Sequence, residues 1–387
     1  MQRTRQLLIS TVTLAVFLCS WAAAAFGQAA PPAETPPMGW NDWYQYKCTV
    51  TDAAVRANVD VLVSSGMRDA GYRYVNIDDC WQGKRDARGN IHPNSRFPDM
   101  KALADYIHSE GLKFGLYSSP GPKTCAGYAG SYGHEEQDAR TYARWGVDFL
   151  KYDWCSAGKV YKPDQMQAAY RKMYDALKST GRPILFSLCQ YGLEGVWRWG
   201  ASVGGNMWRT TDDIGGDYDR VSLFGFMQNG LAPFAGPGHW NDPDILQIGL
   251  GKLNRDEEMT QMSLWCLVAA PLLAGNDLTK MSKETLAILT DPEVIAVDQD
   301  PKGVEGHRAW QEGPLEIWVK PLADGSMAVG LFNRGMGPLP ITIHFKEISL
   351  PNTVDIRDLW ARKDLGTFHG SYTASVPRHG VVMLKLK

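Results

Sequence analysis

Short apolar runs that end in charged residues recur along most of this chain, and stretches with helical periodicity separate them. Tyr72 to Ile77 is one such run and ends in Asp78 and Asp79; Leu112 to Tyr117 is the next, and Val147 to Tyr152 ends in Asp153. Pro183 to Leu188, Asn206 to Arg209, Phe234 to Trp240 and Leu267 to Leu273 continue the series. Between the first two, Met100, Leu103, Ala104 and Ile107 share one helical face, Asp99 stands where an N-cap belongs, and Gly111 supplies a left-handed stop. Strand–helix alternation at this count predicts a parallel sheet closed as a (β/α)8 TIM barrel. An open dinucleotide-binding sheet is disfavoured, since no G-x-G-x-x-G follows a strand.

After about residue 305 the rhythm changes. Leu315 to Lys320, Met327 to Phe332, Ile341 to Phe345, Val354 to Trp360, Tyr372 to Val376 and Val381 to Leu386 read as short strands separated by turn residues such as Asp324-Gly325. This predicts a small C-terminal antiparallel β-sandwich. The expected division is a barrel over 37–305 and a sandwich over 306–387, preceded by a Pro-rich linker over 29–36. Residues 1–28 read as a cleaved signal peptide: Arg3 and Arg5 lead a short apolar run, and small residues follow at Ala22 to Ala25. Export to a periplasm or to the medium is the corresponding expectation. That apolar run is too short to cross a bilayer, and no other segment approaches the length needed.

Composition narrows the function. A net charge of −2 gives no electrostatic reason for a nucleic-acid partner. Fourteen Trp suit a sugar cleft, although most indoles fill cores. The cysteines left after the signal (Cys48, Cys80, Cys125, Cys155, Cys189 and Cys266) have no zinc-site spacing, and an oxidising compartment would pair some of them.

The expected strand ends carry Asp42, Asp78, Asp79, Asp153, Asp212, Asp213, Asp242, Asp244 and Asp277. Any one could be a helix cap, but this many on the catalytic rim of a barrel point to a hydroxyl-rich ligand, a metal, or carboxylate catalysis. Lys151 and Asp153 lie two apart and share a face, so the ammonium is expected to keep that carboxylate ionised. Arg209 and Asp213 share parity too. One ionised and one protonated carboxylate is what glycoside hydrolysis needs.

Met38-Gly39-Trp40-Asn41-Asp42-Trp43, Asn76-Ile77-Asp78-Asp79-Cys80-Trp81 and Lys151-Tyr152-Asp153-Trp154-Cys155 resemble motifs of the glycoside hydrolase family 27 α-galactosidases, or melibiases. So do Lys123 to Gly127, Trp208-Arg209-Thr210-Thr211-Asp212-Asp213-Ile214, Gly238-His239-Trp240-Asn241-Asp242-Pro243-Asp244 and Ala270-Pro271-Leu272, all in family order. The resemblance implies a retaining exo-glycosidase that removes terminal α-D-galactosyl residues, with a TIM barrel and a sandwich. It implies Asp153 as nucleophile and Asp213 as general acid/base. Trp43, Asp78, Asp79, Tyr117, Lys151, Arg209 and Asp244 are implied as substrate-binding or pocket residues, with Asp244 largely structural. It further implies disulfides Cys48–Cys80 and Cys125–Cys155, and no metal or organic cofactor.

This chain departs from many relatives at Cys189-Gln190-Tyr191-Gly192. Gln190 is expected to bond the sugar's 2-hydroxyl, and Tyr191 to crowd a 2-acetamido group, which favours galactose over N-acetylgalactosamine. Cys189 and Cys266 are expected to be free. An α-N-acetylgalactosaminidase or a β-L-arabinopyranosidase of the same family is the alternative within the class. A non-catalytic carbohydrate-binding barrel is the alternative outside it, and the presence of both catalytic carboxylates speaks against that.

Overall fold

The computed structural model describes residues 33–387, so the expected signal segment 1–28 and the first part of the linker lie outside the described residues. Eight parallel strands form one sheet: β1 (Met38–Asn41), β2 (Tyr74–Asn76), β3 (Lys113–Ser118), β4 (Phe149–Asp153), β5 (Leu185–Cys189), β6 (Met207–Arg209), β7 (Trp240–Asp242) and β8 (Leu272–Ala274). Neighbours in space follow the chain from β1 to β7, and β8 lies against β1. A bridge from Leu246, just past β7, to Ala274 closes the ring.

The covering helices form for the reasons the pattern suggested. In α1 (Asp52–Ser64), Val55, Val59 and Leu62 make the buried stripe, and the Thr51 hydroxyl accepts from Ala54 N–H at the N-terminus. In α2 (Met100–Ser109) Asp99 caps as expected, and Gly111 sits at φ 73°. Helix α3 (Glu135–Trp145) stops at left-handed Gly146, and α4 (Met166–Ser179) buries Met166, Tyr170, Met173 and Leu177. Between β5 and β6 two 3-10 segments, Leu193–Arg198 and Gly200–Val203, stand where a helix would complete the unit. Then come α5 (Tyr218–Phe226), α6 (Arg255–Leu267), α7 (Lys283–Leu289) and α8 (Pro292–Asp298). No helix among the described residues is long and apolar enough to cross a membrane.

Two strands are displaced from their expected places. Phe234 to Trp240 is mostly loop, and β7 begins only at Trp240, because Pro237-Gly238 turns the chain first. Leu267 closes helix α6 instead of opening a strand. Ala269 at φ 51° and Pro271 delay β8 to Leu272.

Eight further strands follow: β9 (His307–Glu312), β10 (Leu315–Pro321), β11 (Met327–Asn333), β12 (Leu339–His344), β13 (Thr353–Asp358), β14 (Lys363–His369), β15 (Ser371–Val376) and β16 (Val381–Leu386). All but β12 and β15 form a six-stranded sheet, and those two pair with each other. The pattern missed β9 and β14, whose sequences are polar and largely exposed because each is an edge strand.

Strand β10 shows how the two parts are joined. Ile317 and Val319 face the sandwich's own core, while Trp318 belongs to the core shared with the barrel. Trp318 is fully buried, donates its indole N–H to Glu316 at 2.8 Å and meets Phe226 of α5 edge-on. Lys320, 1% exposed, donates to the carbonyl of Cys266 in α6 at 3.1 Å. Trp318→Ala should therefore lower stability by about 3–5 kcal/mol. In urea titrations followed by activity and by far-UV circular dichroism, both signals should be lost together; loss of the sandwich signal ahead of activity would show that the two parts unfold independently.

Candidate active site

Strand alternation stacks the barrel interior in layers. Tyr74, Phe149, Leu185, Met207, Trp240 and Leu273 form an apolar floor. Two residues further along, Asn76, Lys151, Ser187, Arg209 and Asp242 replace carbon with polar groups. Two further again stand Asp78, Asp153, Cys189 and Asp244, at or beyond the strand ends. This is the rim where barrel enzymes keep their chemistry.

Asp153 is 5% exposed, and two phenols hold it. Tyr117 donates to its Oδ2 at 3.0 Å and Tyr191 to its Oδ1 at 2.6 Å. Lys151 donates to Asp78 Oδ2 at 2.9 Å, and Asn41 Nδ2 donates to the same oxygen. Asp79 accepts from the N–H groups of Cys80 and Ala126. Asp42 sits beneath the pair, its Oδ1 accepting from Asp78 N–H at 2.6 Å. Trp43 is half-buried on the same rim.

On the opposite side Arg209 pairs with Asp213 and with Asp244, each at 3.1 Å. Asp213 has a half-exposed side chain. Asp244 is 2% exposed, and its other oxygen accepts from Tyr44 O–H and Ile214 N–H, so it braces the loop that carries Asp213. Asp212 is exposed and accepts from Asp213 N–H. Disulfides join Cys48 to Cys80 and Cys125 to Cys155, while Cys189 and Cys266 are free and buried. Cys125, Asp153 and Cys155 cluster closely, but the disulfide leaves no thiolate there to ligate a metal.

Residues 35–300 match the melibiase family described as alpha galactosidase A, and residues 312–386 match the alpha galactosidase C-terminal beta sandwich domain. The chain belongs to the family 27 α-galactosidases. It is 42% identical to alpha-galactosidase A of Cellvibrio japonicus, over 99% of each chain. Its structure is similar to that of alpha-galactosidase I from Mortierella vinacea, with TM-score 0.87, 35% identity and coverage of 93% and 98% of the two chains. It is similar also to the α-galactosidase of Saccharomyces cerevisiae solved with raffinose, with TM-score 0.86, 28% identity and coverage of 93% and 100%.

Against the sequence expectations for the enzyme, the structure brings Asp78, Asp79, Tyr117, Lys151, Asp153, Tyr191, Arg209, Asp213 and Asp244 together on one rim. Gln190 is fully buried with both amide atoms unpartnered, while the Tyr191 hydroxyl reaches Asp153. Tyr44 was not anticipated; its link to Asp244 joins segments 200 residues apart, which no local pattern signals.

The charge balance also differs. Burial pushes the Asp153 carboxyl up to about 6; the Lys151 charge and the two phenols oppose it without overcoming it. Lys151 is committed to Asp78, which is why its proximity in sequence misled. For Asp213 burial acts upward too and is the largest single influence, but the charges of Arg209, Lys151 and Arg220, with the Arg209 hydrogen bond, together outweigh it and hold the carboxyl below the usual carboxylate range. In the resting enzyme the single proton shared by the two carboxylates therefore rests mainly on Asp153. With the roles the resemblance implies, Asp153 as nucleophile and Asp213 as acid, the reactive arrangement would be a minor tautomer of the singly protonated enzyme. Its population disappears as pH rises through the Asp153 value. Profiles of kcat/KM should accordingly bend downward on the alkaline side near pH 6; a plateau extending beyond pH 8 would contradict this balance.

Proposed function

We propose that this α-galactosidase releases terminal α-D-galactosyl residues by double displacement, with Asp153 as nucleophile and Asp213 as acid/base. The carrying observation is the contrast between two carboxylates facing one pocket. Asp153 is buried and held by neutral donors, whereas Asp213 is half-exposed and tied to Arg209. A buried carboxylate fixed at both oxygens suits attack on carbon. A partly exposed one suits exchange of protons with the leaving group and then with water. Bound sugar would cover Asp213 and displace its water, which moves its carboxyl toward the protonated form.

In the first step Asp213 gives its proton to the glycosidic oxygen while an Asp153 oxygen bonds to the anomeric carbon. In the second, Asp213 takes a proton from water as that water displaces Asp153, and galactose leaves with its configuration retained. Asp78 and Asp79 hold the far hydroxyls of the ring, Lys151 bridges them to the reacting end, and Trp43 supplies an indole face. No step uses a metal or organic cofactor. Raffinose-type oligosaccharides are one substrate class, supported by the yeast relative solved with raffinose. The barrel over 37–305 carries the chemistry and the sandwich over 306–387 braces it.

Asp213→Ala should cost about 10²–10⁴-fold in turnover of substrates with poor leaving groups and far less with an activated aryl galactoside. Asp153→Gly should be inactive, and added azide should restore turnover with β-galactosyl azide as product. Near-normal activity in that variant would remove Asp153 from the mechanism. Specificity is checked with nitrophenyl α-galactoside, α-N-acetylgalactosaminide and β-L-arabinopyranoside. Preference for the first is expected, and preference for either other would overturn the assignment to galactose.

A further inference from the structure

Among the described residues Asp153, the proposed nucleophile, has no direct ion pair. Lys151 donates to Asp78 and Arg209 to Asp213 and Asp244, so the hydrogen bonds reaching Asp153 come from two phenols, one on each oxygen. Tyr117 belongs to strand β3 and is 1% exposed. Tyr191 lies beyond the end of β5 and reaches Asp153 only because its backbone is left-handed, at φ 61°, a conformation rare for a bulky residue. Gly192 follows at φ 79°, where a Cβ would lie 2.3 Å from the Thr210 carbonyl oxygen, so no other residue type fits the turn as it stands. Sulfur backs both phenols. Tyr117 O–H lies 3.2 Å from Cys155 Sγ, and Tyr191 O–H lies 3.6 Å from Cys125 Sγ and 4.0 Å from Cys155 Sγ. The Arg209 guanidinium sits 5.9 Å from the centre of the Tyr191 ring.

We propose that Tyr191 is a positioning residue for catalysis: its phenol fixes Oδ1 of Asp153, so that the carboxylate is held by one neutral donor on each oxygen and aimed at the anomeric carbon. The proposal rests on the reading of Asp153 as nucleophile. It gives Tyr191 a part in the chemistry beyond shaping the pocket around the 2-position of the sugar. A carboxylate oxygen has about two lone-pair sites, so one phenol on each oxygen still leaves a lone pair for attack. A strained turn that drives a phenol onto a nucleophile is what a pre-set geometry requires.

The hydroxyl also bears on protonation. A donor to the ionised form favours that form. The other groups coupled to Asp153 are Asp78 beyond β2, Tyr117 in β3, Lys151 in β4, Tyr170 in α4 and Cys189 in β5; Arg209 and Asp213 are paired with each other and act on Cys189 beside it. Lys151 and Tyr117 favour the charged form with Tyr191, whereas burial and Asp78 oppose it. Without the Tyr191 hydroxyl the proton stays on Asp153 to higher pH, and the reactive tautomer becomes scarcer wherever the enzyme is singly protonated.

Tyr191→Phe keeps the ring and deletes only the hydroxyl. On nitrophenyl α-galactoside its kcat/KM should fall about tenfold below the alkaline limb, while the limb itself moves up by about one pH unit, since one unit of pKa is a tenfold change in the tautomer ratio. The mutant and parent curves should then converge above the limb, with KM little changed. A loss of equal size at every pH, or one confined to KM, would show that Tyr191 only shapes the pocket and would overturn the proposal. Tyr117→Phe should move the same limb in the same direction, which supplies a second reading if the first variant folds poorly. Asp153→Gly with azide separates the two levels. Activity without azide sinks the nucleophile itself, whereas an inactive, azide-rescued Asp153→Gly beside an unmoved limb in Tyr191→Phe sinks only the role of Tyr191.

Discussion

Two cations in the throat of the barrel, Lys151 and Arg209, make the rest of the site possible. Asp42, Asp78, Asp79, Asp153, Asp242 and Asp244 are all buried around them, and Asp213 leans over the edge. Lys151 acts downward on the carboxyls of Asp42, Asp153, Asp213 and Asp242 while bonding Asp78, and Arg209 does the same for Asp213 and Asp242 while pairing with Asp244. Two positive charges cannot neutralise seven acids. Burial first, and the acidic neighbours after it, force carboxyls upward: Asp42 well above its ordinary value, Asp242 to about 6 and Asp153 to about 6. Asp153 is thus one member of a crowded set whose protonation is decided jointly. Removing either cation would leave buried charges without compensation, a severe loss for any fold.

Much of this was legible in the chain. Runs ending in Asp located β2 and β4 to within two residues, and parity put Lys151 and Asp153 on the same wall. The helix from Met100 declared both its ends through Asp99 and Gly111. What stayed hidden depends on packing between distant segments. The start of β8 is set by a left-handed Ala269 next to Pro271, and no hydrophobic pattern distinguishes that from a continuing strand. Strands β9 and β14 are edges, so their polar sequences look like loop. Gln190 and Tyr191 are adjacent, and only the turn after β5 decides that Tyr191 is the one to reach Asp153.

Electrostatics was the least legible layer. Spacing correctly placed an ammonium near Asp153, but it could not say that the ammonium was already bonded to Asp78. Nor could it weigh full burial against one neighbouring charge. Asp213 shows the same limit from the other side: Arg209 four residues earlier was visible, yet burial is overcome there only by the summed action of Arg209, Lys151 and Arg220 on a half-exposed rim.

The junction between barrel and sandwich carries a further meaning. Lys320 and Trp318 leave the sandwich to fill the barrel's side, and His379 stacks on Tyr218 of α5 at 3.9 Å while bonding Glu257 of α6. Arg357 and Arg362 reach Glu293 and Asp291 at the start of α8. The C-terminal part is therefore not a detachable cassette. Recombination between relatives that exchanged the sandwich alone would have to carry the matching faces of α5, α6 and α8 with it, so these two parts are bound to diverge as one inherited unit.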